Sequence, residues 1–132
     1  MTCRSAKRDV DLVVDGRRVA DVLVADTYLR RLRGMLGRRV LPEALVLVPG
    51  GAVHGVGMTR SLDVAMLAPE GADAGAGAAS DTFVVVRTAV LRPFGLVLAP
   101  RGVRRVLEAP TGSFERWDLC PGARVRFEPV DV

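Results

Sequence analysis

The sequence predicts an all-β sandwich or barrel of about eight short strands with one main helix. Three observations carry that reading. Strand-length stretches rich in valine and leucine recur along the chain, Gly- and Pro-containing turn signals separate them, and only one stretch has sustained helical periodicity.

In the first element, Val10, Leu12 and Val14 alternate with Asp9, Asp11 and, less cleanly, Val13, which is the period of a half-buried strand. Asp15-Gly16 follows, a pair that favours the positive φ angles of a type I′ turn, so Val19 to Val24 should return antiparallel as the hairpin partner. Asp26-Thr27 then offers an N-cap to a helix over Tyr28 to Leu36. Leu29, Leu32 and Leu36 share one face of it, Arg30, Arg31 and Arg33 lie on the other, and Gly37 is placed to end it.

Arg38 to Glu43 reads as a loop. Ala44 to Val48 is apolar without alternation, as in a strand buried on both faces, and Pro49-Gly50-Gly51 breaks it. His54 to Leu67 reads as a β-hairpin. The Gly- and Ala-rich stretch 68–80 reads as a mobile loop, since it has little to bury. Thr82 to Leu91 is a valine-rich strand, Arg92-Pro93-Phe94-Gly95 a turn, Leu96 to Leu98 a short strand and Val103 to Ala109 another. Ser113 to Asp118 suits one helical turn capped by Ser113. Pro121-Gly122 then turns into a last strand with Val125 and Phe127 inward.

At 132 residues the chain has the size of one domain, spanning 10–128 between a flexible N-terminus (1–9) and a short tail (129–132). No apolar run approaches the ~20 residues of a membrane-spanning helix, and the cationic start lacks the apolar core of a secretory signal, so a cytoplasmic location is the expectation. Cys3 and Cys120 stand far apart and outside any C-x-x-C pair, which argues against a zinc ribbon or a dithiol redox site and for free thiols. A net charge of +4 invites a nucleic-acid reading. Against it, the cations are scattered arginine pairs interleaved with acids, and one Trp, one Tyr and four Phe make no stacking platform, so specific nucleic-acid binding is not expected.

The His54 hairpin holds the one histidine and the most plausible chemistry. With a three-residue loop over Thr59, Arg60 and Ser61, Met58 pairs with Leu62, Val56 with Val64 and His54 with Met66. Asp63 then faces the opposite side, over a floor of small residues where a ligand could approach the backbone. With a two-residue loop, Asp63 joins the histidine face and the two could form a dyad; the apolar alternation of Leu62, Val64 and Met66 favours the first register. Catalysis by His54 and Asp63 has thin support. No serine sits in a nucleophile-elbow context, and a catalytic zinc would have to draw its other ligands from Asp63, Glu108 or a cysteine, so no metal or cofactor is expected. Glu108 interrupts an apolar strand. By default it faces solvent; otherwise it is buried and paired, with Arg33 or Arg92 as partner. Met35 and Met58 read most simply as core filler.

Four stretches resemble a known family in order and spacing. They are Arg31-Leu32-Arg33-Gly34-Met35-Leu36-Gly37-Arg38, His54 through Asp63 to Leu67, Leu91-Arg92-Pro93-Phe94, and Val106-Leu107-Glu108-Ala109-Pro110-Thr111-Gly112. They resemble domain-of-unknown-function family 192 (DUF192) over roughly residues 10–128. The resemblance implies a bacterial or archaeal, jelly-roll-like β domain with a short helix and no established activity. Members of that family carry a Thr, an aromatic, an Arg and a Pro where this chain has Gly55, Val56, Thr59 and Ser61, and an Asp where it has Ala123.

The leading functional expectation is a non-enzymatic domain that binds a small polar ligand, of saccharide type if the jelly-roll-like resemblance is followed, or a protein partner. The residues concerned are Arg33, His54, Gly57, Met58, Asp63, Arg92 and Glu108. A hydrolase or metal-assisted enzyme using His54, Asp63 and Glu108 is the alternative, and an interaction domain of a larger assembly is the third.

Overall fold

In a computed structural model the described residues are 9–25, 43–47, 52–54, 60–70, 82–93, 95–98 and 100–129. Strands β1 (Asp9–Val14) and β2 (Arg17–Ala25) form the predicted first hairpin. Asp15 and Gly16 have φ of 48° and 85°, so the two-residue turn takes the left-handed conformation that Asp-Gly favours, and Val14 faces Arg17 across it.

Strand β3 (Ala44–Leu47) runs parallel to β2 and pairs antiparallel with β8 (Arg105–Pro110). Strand β5 (Leu62–Pro69) lies between β8 and β6 (Thr82–Leu91), and β9 (Arg124–Pro129) joins β6 to β1. The order β1-β2-β3-β8-β5-β6-β9 closes a seven-stranded barrel. Closure pairs the first strand with the last, with Val10 opposite Pro129 and Val14 opposite Val125.

Side-chain alternation divides the barrel's apolar residues into two cores. Inside lie Leu12, Val14, Val46, Leu67, Leu107 and Val125 among others. On the outer face of the β3–β8–β5 strands lie Leu45, Leu62, Val64, Met66 and Val106, joined by Leu91 of β6. That is why Ala44–Leu47 and most of β5 read as unbroken apolar runs: both of their faces are covered. Helix α1 (Ser113–Trp117) packs Phe114 and Trp117 into the inner core, and Arg17 Nη2 donates to the Trp117 carbonyl at 3.1 Å.

Several expectations need correction. The His54 hairpin does not form. Instead β4 (Ala52–His54) pairs antiparallel with β7 (Leu96–Leu98) in a separate two-stranded sheet, placing His54 opposite Leu96, while Met66 lies opposite Arg87 and Val106 in the barrel. Neither proposed loop register applies. Strand β5 also runs on through Ala68 and Pro69, paired with Val84 and Phe83, so these two residues are strand where a loop was expected; 71–80 lie outside the described residues. Ser113 does not cap α1. Gly112 does, at φ 97°, and Ser113 is the first helical residue.

Strand β6 matches its predicted span, and the Arg92–Gly95 turn closes through the Gly95 N–H donating to the Arg92 carbonyl at 2.7 Å. The expected helix over 28–36 lies outside the described residues. Among the described residues no helix is long and apolar enough to cross a membrane.

Candidate functional site

Asp63 sits near the start of β5, opposite Ala109 of β8 and Val90 of β6. Ala109 belongs to the inner core, so Asp63 faces that side, away from Leu62, Val64 and Met66 as the alternation predicts. The floor of small residues expected beneath it is not open. Helix α1 arrives there, and Asp63 Oδ2 accepts hydrogen bonds from the backbone N–H of Gly112 at 3.0 Å and of Phe114 at 3.2 Å. A helix leaves its first N–H groups without intrahelical partners, and Gly112 has no side chain with which to take one up. A carboxylate from a distant strand takes over the cap, and Asp63 is only 8% exposed. Asp63 is therefore a structural tie between β5 and α1. The local sequence around the helix carries no sign of it.

Glu108 occupies the opposite face. It pairs with Leu45 on one side and Val64 on the other, both in the outer core, and is 4% exposed. The solvated default is thus corrected. The neighbours of Glu108 on that face, Leu45, Val64 and Val106, are themselves buried, and the acid is buried with them. Its Oε1 is fully buried and has no hydrogen-bond partner among the described residues. Burial also pushes the carboxyl from its ordinary 4.5 up to about 7, because an ionised group is poorly solvated among aliphatic side chains. A buried acceptor without a partner costs the desolvation of that group, so it marks a place where a further donor would be stabilising.

The remaining predicted residues are not drawn into one cluster. Arg92 is exposed and forms no ion pair with Glu108. His54 is placed by its backbone in the β4–β7 sheet, while Arg33, Gly57 and Met58 lie outside the described residues. Asp63 and Glu108 stand on opposite faces of the sheet, so the two carboxylates proposed to act with His54 do not converge. Among the described residues no group of three or more His, Cys, Asp or Glu could hold a metal ion. Cys120 is an exposed free thiol.

Two features escaped the sequence reading. Val86 and Val90 on β6 are 43% and 52% exposed, the large apolar side chains that stand out at the surface among the described residues. Arg105, half-buried at the start of β8, lies over the Phe83 ring with its guanidinium carbon 5.2 Å from the centroid, and burial, with Arg104 adding to it, lowers its pKa.

Fold and site together define a small β-barrel domain carrying a buried carboxyl on its outer face. Two solved structures share this fold. One is a candidate transcription regulator from Sinorhizobium meliloti, 20% identical, with a TM-score of 0.66 over 92% of this chain and 93% of that one. The other is a protein of unknown function from Novosphingobium aromaticivorans, 16% identical, with a TM-score of 0.64 over 91% of this chain and 84% of that one. At such identities the likeness is one of fold. No family model and no curated protein matches the chain.

Proposed function

We propose that the protein is a non-enzymatic binding domain whose small polar ligand is held on the outer face of the β3–β8–β5 strands, with Glu108 as the group that contacts it. The carrying observation is the fully buried Glu108 Oε1 without a partner, set between Leu45 and Val64. A perturbed, buried carboxyl is what a ligand site with a few placed polar groups among apolar walls requires. The binding reading stands ahead of the enzymatic one because the proposed acid pair is divided between two faces of the sheet. The four ordered motifs support divergent membership of DUF192, and Glu108 lies within the last of them.

A protein-observed NMR screen of small polar fragments tests this. Hits should shift the amides of Leu45, Val64 and Val106 and lose their effect in Glu108→Leu; hits that map elsewhere and ignore that substitution would contradict the reading.

Exposed Val86 and Val90 favour a second reading, in which β6 receives a protein partner. Under that reading, Val86→Lys with Val90→Lys would abolish capture of the partner while leaving fragment binding at Glu108 unchanged.

A further inference from the structure

We propose that the ligand held at Glu108 is an organic ammonium ion with an alkyl body, an assignment that rests on the binding reading above and names its ligand class. The geometry sets two requirements. Oε1 is fully buried and has no hydrogen-bond partner among the described residues, so the site asks for a donor compact enough to reach an enclosed oxygen. An ammonium is a compact point charge on a flexible stem, whereas a guanidinium is a broad planar fork that needs more room. The flanking side chains are aliphatic, Leu45 and Val64 directly across and Val106 two positions along β8, so the rest of the ligand is hydrocarbon.

No cation of the described chain already meets that requirement. On the same face β5 contributes Leu62, Val64 and Met66, β3 contributes Leu45 and Leu47, and β8 itself adds Val106, none of them titratable. Charged groups on that side include Arg87 of β6, opposite Met66, and Asp21 of β2 with Glu43 before β3; all three are exposed, and Glu43 Oε1 accepts the Asp21 backbone N–H. Arg105 is turned to the other face, onto Phe83. Arg18, Arg124 and Arg126 are paired with Asp11 and Asp21, with Glu70 and with Glu128 respectively.

A carboxyl buried among hydrocarbon carries its own proton for part of the time near neutral pH. An arriving ammonium replaces that proton. The protonated carboxyl and the free ammonium give the carboxylate–ammonium pair and one released proton, so charge and atoms balance. A charge-assisted hydrogen bond then offsets part of the desolvation that the empty carboxylate bears.

The probes are n-butylammonium, n-butanol and glucose, added to the whole chain carrying 13C-labelled glutamate side chains. Butylammonium should lower the Glu108 titration midpoint by at least about 1 unit at saturation, and its affinity should rise roughly tenfold between pH 6 and pH 8. Both responses should vanish in Glu108→Gln. If butanol or glucose moves the Leu45, Val64 and Val106 amides and butylammonium does not, the binding reading stands and the ammonium assignment falls. If none of the three perturbs Glu108, the ammonium assignment falls as well, and the fragment screen decides the binding reading. A Glu108 midpoint that rises in Arg33→Ala would show that a guanidinium of this chain already occupies the place, which also overturns the assignment.

Discussion

Asp63 and Glu108 are one register step apart on adjacent strands, yet they point to opposite faces of the sheet: Asp63 pairs with Ala109 on the inner side, and Glu108 with Val64 on the outer. One carboxylate is satisfied by two backbone donors and the other has an oxygen with none among the described residues. Two buried acids of similar chemistry thus divide into a structural tie and a candidate ligand group.

Asp63→Ala should destabilise the protein by about 2 kcal/mol, since it removes the cap of α1 and leaves the buried Phe114 N–H and the part-buried Gly112 N–H without their acceptor. Asp63→Asn keeps one acceptor oxygen and should cost about 1 kcal/mol. Urea unfolding checks the order, and near-UV circular dichroism of Trp117 should weaken in the alanine variant as α1 frays.

Glu108 should make stability fall as pH rises. Its folded pKa of about 7 lies above the ordinary 4.5, so between those values the folded state holds the proton that the unfolded state has lost. The penalty is absent below pH 4.5 and fully developed above pH 7, at an order of magnitude of about 3 kcal/mol. Denaturation midpoints measured from pH 4.5 to pH 8 should show this slope in the wild type and a flatter profile in Glu108→Gln.

Gly16→Ala should cost about 1 kcal/mol. A Cβ there meets nothing within 4 Å, so the whole effect comes from φ of 85°, which side-chain-bearing residues rarely adopt. Urea unfolding of the variant measures it, and a neutral result would remove the type I′ turn from the account of the first hairpin.

Leu107→Ala should be costly, at about 3 kcal/mol, because Leu107 is fully buried in the barrel interior. Val90→Lys should change stability by less than about 0.5 kcal/mol, since its side chain is more than half exposed. Similar costs for the two, by urea unfolding, would contradict the placement of the core.

Much of the barrel was legible because local signals fixed it. The Asp15-Gly16 turn set the first hairpin, the unbroken apolar run marked β3 as buried on both faces, and valine enrichment bounded β6 at Thr82 and Leu91. The parity of Asp63 against Leu62, Val64 and Met66 was also readable. What escaped was non-local. Proximity in sequence suggested that His54 and Asp63 share a hairpin, but period-2 alternation says which face a residue takes and nothing about which strand it pairs with, and β4 pairs with β7 instead. An acid in an apolar strand has a different fate on a face open to solvent and on a covered one, and only the tertiary structure covers the outer face of β8 at Glu108. The cap of α1 comes from a residue 49 positions before Gly112, beyond the reach of any local capping pattern.

The most direct measurement is the Glu108 titration itself, followed by 13C NMR of the side-chain carboxyl in the unliganded chain. A midpoint near 7 that stays in place when Arg92 is replaced by alanine is the predicted result. A midpoint close to 4.5 would mean that the carboxyl is solvated or already paired, and would contradict the account of Glu108 as the group that awaits a ligand.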